Sequence, residues 1–130
     1  MLDNGILNPH LLSLLARVRH TNTLVISDRG FPFWPTIETV DLSLVNDVPT
    51  VLQVLAAVRQ NFVVGRAYMA EEFLAANEEA TKAKFAKAFE GVPVSYEPHE
   101  LTFKPRVPHA IGLIRTGDTT QYGNMILVSA

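Results

Sequence analysis

Between residues 8 and 19, NPHLLSLLARVR, the apolar positions Leu11, Leu12, Leu14, Leu15 and Val18 recur every three or four residues. That spacing turns one stripe of a helix toward a core. Asn8 is placed to cap the first turn, and Pro9 falls where its missing N–H goes unneeded. The period then changes. Thr23-Leu24-Val25-Ile26 is a short β-prone run closed by Ser27-Asp28-Arg29-Gly30, so His20 is expected at a helix end and Asp28 at a strand end. In Phe31-Pro32-Phe33-Trp34-Pro35 the two prolines forbid regular structure, and the three aromatics make the segment too apolar for a free loop. It must cover the core or wall a pocket.

The same reading predicts a strand over Thr36 to Leu42 and a helix opening at Val48-Pro49-Thr50 and running to about Gln60. A third strand follows over Phe62 to Met69. Ala70 to Glu90 reads as mostly helix, with Ala80, Ala83, Phe85, Ala86 and Phe89 as its apolar stripe and Gly91 as its stop. A short strand around Pro93 to Tyr96 leads into one or two helical turns over His99 to Lys104, before Pro105 and Pro108. Two further strands, Ala110 to Arg115 and Asn124 to Ser129, flank the loop from Thr116 to Gly123. This alternation predicts a single α/β domain over residues 1–130, with a mixed, mostly parallel sheet covered by helices on both faces.

Charge and composition narrow the partners. Net charge is −2, and the eleven Lys and Arg are scattered, so the basic footprint of a nucleic-acid binder is missing. The charged fraction of 18% is low for a folded soluble surface, as expected where copies of the chain bury area against each other. Without cysteine there is no disulfide, thiolate nucleophile or Cys-ligated zinc. No apolar run reaches the ~20 residues of a membrane span. MLDNGILNPH lacks the basic start and apolar stretch of a signal peptide, which makes a cytoplasmic location the expectation.

Ligands of α/β sheets collect beyond the carboxyl ends of strands. Three places meet that test: Asp28, the pair His99-Glu100, and the Tyr122-Gly123-Asn124 loop. Each has a plainer reading: Asp28 as a turn residue bonding its own backbone, His99 as an exposed helix opener, Tyr122-Gly123-Asn124 as a simple turn. His20 is the strongest proton-transfer candidate, because imidazole gives and takes protons near neutral pH. Its plainer role is at a helix C-terminus, where the dipole favours its charged form. A phenol, a flexible backbone and a carboxamide in one loop suit neutral polyhydroxy ligands. The four histidines form no metal-ligand spacing, and no phosphate-binding glycine motif is present, so no metal or cofactor is expected.

Taken in order, Asn8, Leu11 to Leu15, His20-Thr21-Asn22-Thr23, Asp28 with Gly30 and Pro32, Val48-Pro49, Ala70-Glu71-Glu72, His99-Glu100, Arg115-Thr116-Gly117-Asp118 and Tyr122-Gly123-Asn124 resemble the RbsD/FucU family of ribose pyranases and fucose mutarotases. Gly30-Phe31-Pro32 resembles the GLP of its pyranase branch. The resemblance implies interconversion of the pyranose and furanose forms of D-ribose, with anomer exchange, by acid–base ring opening. It implies His20 as proton donor, and Asp28, His99, Tyr122, Gly123 and Asn124 as sugar-binding residues. It also implies ring-shaped high-order homo-oligomers, a decamer among them, with sites near subunit boundaries. Alternatives are a mutarotase for fucose or another monosaccharide, a non-catalytic sugar-binding accessory module, and a purely structural subunit. Three departures stand out: Asn22 replaces the Asp of HTDT, Arg29 stands where small residues are usual, and HELTFK is one residue longer than HEQFK, which shifts Lys104.

Overall fold

The structure, a computed structural model, describes residues 1–130. Helix α1 spans Pro9–Arg17, with the Asn8 side chain accepting the Leu11 N–H at 2.9 Å. The chain continues through β1 (Thr23–Ser27), β2 (Glu38–Asp41), α2 (Val51–Arg59), β3 (Val64–Ala70), α3 (Glu72–Ala76), α4 (Glu79–Ala88) and β4 (Val94–Glu97). It closes with a π turn (His99–Phe103), α5 (Lys104–Arg106), a 3-10 turn (Val107–His109), β5 (Gly112–Arg115) and β6 (Met125–Ser129). No helix is long and apolar enough to cross a membrane.

All six strands form one sheet in the order β2-β5-β1-β6-β3-β4. The β2·β5, β5·β1 and β3·β4 pairs are parallel, whereas β6 runs antiparallel to both β1 and β3. The mixed, mostly parallel sheet is therefore five strands one way and a central sixth the other. This single reversal matters for the site, because it brings the beginning of β6 to the edge where the other strands end.

Alternation along the strands divides the core. Leu24, Ile26, Ile114, Met125 and Leu127 face one side, packing against Leu11, Leu14, Val51, Val54, Leu55, Val58, Phe85 and Phe89 of α1, α2 and α4. Val25, Leu113 and Ile126 face the other, under a thinner cover of Phe31, Phe103, Val107 and Ala110. Helical cover thus lies on both faces but in unequal depth: twenty buried residues form the first cluster and seven the second.

Several expected boundaries shift for identifiable reasons. The helix expected over Ala70 to Glu90 is broken: Ala70 ends β3, and Asn77, in extended backbone, separates α3 from α4. The Asn77 carboxamide donates to the Phe73 and Gln121 carbonyls, both at 2.9 Å, replacing the next helical bond with a tie to a distant loop. The apolar stripe of α4 is narrower than expected, with Phe85 and Phe89 buried and Ala80, Ala83 and Ala86 exposed. Helix α2 begins at Val51, after a capping box of Thr50 and Gln53 that leaves Pro49 outside. Pro105 and Pro108 do not end the 99–104 turns; each sits near the start of a new short helical segment, where no N–H is required. Nor does His20 cap α1. The helix stops at Arg17, and Arg19 donates its guanidinium to the Ala16 and Val18 carbonyls instead.

Both edge strands carry charge. Glu38 and Asp41 flank the four-residue β2, and β4 ends at Glu97 between Pro93 and Pro98.

Candidate functional site

At the edge where β1 and β4 end and β6 begins, a cleft of about 510 Å³ is lined by thirteen residues, only two of them hydrophobic. Asp28, directly after β1, is half-buried. One of its carboxylate oxygens accepts the Gly30 N–H at 3.0 Å, an aspartate turn, while its own N–H donates to Asn124 Oδ1 at 2.7 Å. Asp28 is thus both a turn residue and part of the cleft lining. Burial pushes the Asp28 carboxyl above its ordinary range and repulsion from Asp118 adds to that; N–H donation from Gly30 and Phe31 and the Asn124 amide oppose it.

His99 opens the π turn after β4. Its backbone N–H is held by both oxygens of Glu72 at 3.1 and 3.2 Å, and its ring stacks on Phe103 with centroids 5.7 Å apart. Tyr122 meets that ring edge-on at 5.1 Å, and Phe31 does so from 6.1 Å. Tyr122 takes a positive φ of 55°, at the strand-entry turn that swings its ring over His99. Asn124 is buried, bonded to Asp28 as described. Gly123 does not line the cleft; it is buried in the turn, its N–H donating to the Thr120 carbonyl at 3.2 Å.

Asp28, His99, Tyr122 and Asn124 thus share one cleft, but His20 does not. It is exposed before the start of β1, the full strand away from Asp28, a separation on the order of 20 Å. The strand spaces the two ionisable groups to opposite ends of the sheet rather than setting them on one rim.

Sequence reasoning passed over part of the cleft. Arg29 lies on its wall, its Nη1 donating to Asn46 Oδ1 at 3.0 Å. Thr119, Thr120 and Gln121 line it too, ordered by Asp118, whose carboxylate accepts from the N–H groups of Val51 (2.8 Å) and Thr120 (2.7 Å). Asp118 joins the start of α2 to the loop, and its neighbour Gly117 is packed against backbone: a Cβ there would stand 2.2 Å from the Val45 carbonyl oxygen. The Thr-Gly-Asp run was the available signal. Lys104 reaches the cleft as well. Of the aromatic segment, Phe31 and Pro32 line the cleft, Phe33 points to solvent, and Trp34 packs beneath Phe31 at 5.9 Å. No three His, Asp or Glu side chains converge to hold a metal ion.

An open polar cleft with carboxylate, carboxamide, imidazole, phenol and hydroxyl groups, backed by aromatic rings at the strand ends of an α/β sheet, defines the class: a protein built for a small, hydroxyl-rich ligand. The chain belongs to the RbsD / FucU transport protein family, whose family model matches residues 1–130. It is 41% identical over 129 residues to the D-ribose pyranase of Geobacillus kaustophilus, covering 99% of this chain and 93% of that one. The structure of Bacillus subtilis RbsD complexed with D-ribose superposes with a TM-score of 0.91 at 35% identity, over 100% of this chain and 98% of that one. The fucose mutarotase of Streptococcus pneumoniae in complex with L-fucose superposes at 0.80, with 95% and 92% coverage; at 19% identity that likeness concerns the fold.

Proposed function

We propose that this protein is a cofactor-independent sugar isomerase that interconverts the pyranose and furanose forms of D-ribose. One observation carries the reading: the chain that superposes on a D-ribose complex gathers Asp28, His99, Tyr122 and Asn124 into one polar cleft. Ring exchange needs three events. An acid protonates the ring oxygen as its bond to the anomeric carbon breaks; a base takes the anomeric hydroxyl proton; then a different hydroxyl closes on the open-chain aldehyde. Asp28, His99 and Tyr122 hold the sugar hydroxyls, and Asn124 fixes the Asp28 backbone so that the acceptor geometry is preset. Sugars open unaided, so a modest acceleration suffices, of the roughly 100- to 10,000-fold that one placed acid or base provides.

His20 is the proton donor of this reading. At the far end of β1 it acts on the cleft of a neighbouring copy rather than its own. The homo-oligomer is therefore part of the active site. Exposed apolar groups support such an assembly: Leu2, Leu7, Phe33, Leu44, Val45, Val63 and Leu101 all stand out to solvent.

Saturation-transfer NMR of D-ribose tests the activity: the protein accelerates exchange between ring forms, whereas a sugar-binding module broadens signals and leaves the exchange rates untouched. Subunit mixing tests the donor. His20→Ala and Asp28→Asn homo-oligomers are each expected to lose most of their activity. Dissociated and reassembled together, they regain a substantial fraction, because some clefts then combine an intact His20 with an intact Asp28. Mixed oligomers no more active than their parents overturn the shared site.

A further inference from the structure

His99 and Lys104 both line the cleft although five residues separate them. In an α-helix that offset turns Lys104 about 140° away from His99, toward solvent. The turn here is wider. The Phe103 N–H bonds the Pro98 carbonyl at 3.0 Å and the Lys104 N–H bonds that of His99, each five residues back. Lys104 is thereby returned to the side of the helix that His99 occupies, and Leu101 is turned out, 83% exposed.

Glu100 stands between the two. Its Oε1 lies 2.7 Å from Lys104 Nζ and 3.5 Å from His99 Nδ1. The Lys104 contact holds the Glu100 carboxyl below its ordinary range, so it is charged wherever the protein works at neutral pH. The His99 ring has little freedom, being stacked on Phe103 and met edge-on by Tyr122 and Phe31. Its Nε2 is buried and has no hydrogen-bond partner. A buried N–H without an acceptor is among the rarest of unmet groups, whereas an idle lone pair is better tolerated. The proton therefore belongs on Nδ1, where a carboxylate faces it.

We propose that Glu100 is a positioning residue of the sugar reaction: one carboxylate oxygen holds the His99 proton on Nδ1 and the Lys104 ammonium beside it, which leaves Nε2 unprotonated and fixes both side chains where they line the cleft. Glu100 and Lys104, four apart, meet at ordinary helical spacing, and the wider turn keeps His99 on their side, so the extra residue of His99–Lys104 is accommodated without dismantling this cluster. The catalytic consequence rests on the isomerase reading; the tautomer does not.

The test uses the full-length oligomer at pH about 8.5, above the ordinary imidazole range. A long-range ¹H–¹⁵N spectrum, with His99 assigned through a His99→Gln variant, reports which ring nitrogen carries the proton. Nδ1–H is expected in the wild type, and a mixture of both forms in Glu100→Ala. In the same variant kcat for D-ribose ring exchange falls about tenfold with KM within threefold, and Glu100→Gln, whose amide oxygen still accepts, lies between. Glu100 is 72% exposed, so Glu100→Ala folds normally, which near-ultraviolet circular dichroism verifies. A wild-type His99 protonated on Nε2, or a Glu100→Ala variant with tautomer and kcat unchanged, overturns the assignment. Wild-type protein without ring exchange overturns the isomerase reading alone, leaving the tautomer result to stand or fall separately.

Discussion

Asp28→Asn moves stability and activity in opposite directions. The carboxyl is half-buried and pushed upward by burial, and close to Asp118, so its ionised form works against the fold. Asparagine keeps the two local bonds: its amide oxygen still accepts from the Gly30 N–H, and the backbone N–H still donates to Asn124. The charge is lost, and with it part of the N–H donation from Phe31 and Asn124. Because the group is partly open to solvent, the gain in unfolding free energy is at most about 1 kcal/mol at neutral pH. With a urea dependence of about 2 kcal/mol per molar, the midpoint moves up by no more than about 0.5 M at fixed protein concentration. The sign follows from linkage. A carboxyl with a raised folded pKa favours the folded state below its unfolded value, 3.8, and loses that contribution as pH climbs through the folded value. The advantage of Asp28→Asn is therefore present at pH 7 and vanishes below about pH 3.8, where the wild-type carboxyl is neutral too. Activity falls, because a hydrogen bond from a sugar hydroxyl to a carboxylate contributes about 1.5–3 kcal/mol and an amide oxygen recovers only part of it. At about 1.4 kcal/mol per tenfold, kcat/KM drops roughly 10- to 100-fold by exchange NMR. A variant that is less stable than the wild type at pH 7, or equally active, refutes the assignment of Asp28 as a ligand-facing carboxylate held at a cost to the fold.

Gly117→Ala places a methyl group 2.2 Å from the Val45 carbonyl and 2.9 Å from that of Val48, and the Asp47 N–H bond to the Gly117 carbonyl keeps that loop from yielding. A loss of about 1–3 kcal/mol by urea denaturation is expected, with weaker ribose binding because Asn46, the partner of Arg29, moves with the loop. An unchanged midpoint contradicts the packing described. Deletion of Thr102 shortens the His99–Lys104 spacing to four, so an ordinary α turn returns Lys104 to the same side; ring exchange within about threefold of wild type is expected. A well-folded deletion variant more than tenfold slower rules out that equivalence.

The site was legible in the sequence where chemistry lay directly after a strand. Asp28 and His99 follow β-prone runs, and Tyr122-Gly123-Asn124 precedes one, which is enough to nominate them. That all three converge was not legible, because a four- or five-residue strand reads the same in either direction and the reversal of β6 leaves no mark in its residues. Nor does the sequence say how His20 and Asp28 are disposed: a count of residues gives their separation but not which ends of the sheet they occupy. The break at Asn77 depends on Gln121, forty-four positions away, and no local period records such a bond. Lys104 fell outside the α-helical register because the turn that carries it is wider than the one periodicity assumes. The Thr-Gly-Asp run marks Asp118 without its role; only the fold shows it tying α2 to the cleft.

The two margins of the sheet bear on the shared site proposed for His20. Both edge strands are four residues long and carry charged side chains, and prolines bracket β4, so a second sheet finds little backbone to align on at either margin. A cleft completed by a neighbour's His20 then calls for contact end against end. Contact in that direction stacks the tail of one sheet on the mouth of the next, and a closed circle of such steps leaves no mouth uncovered.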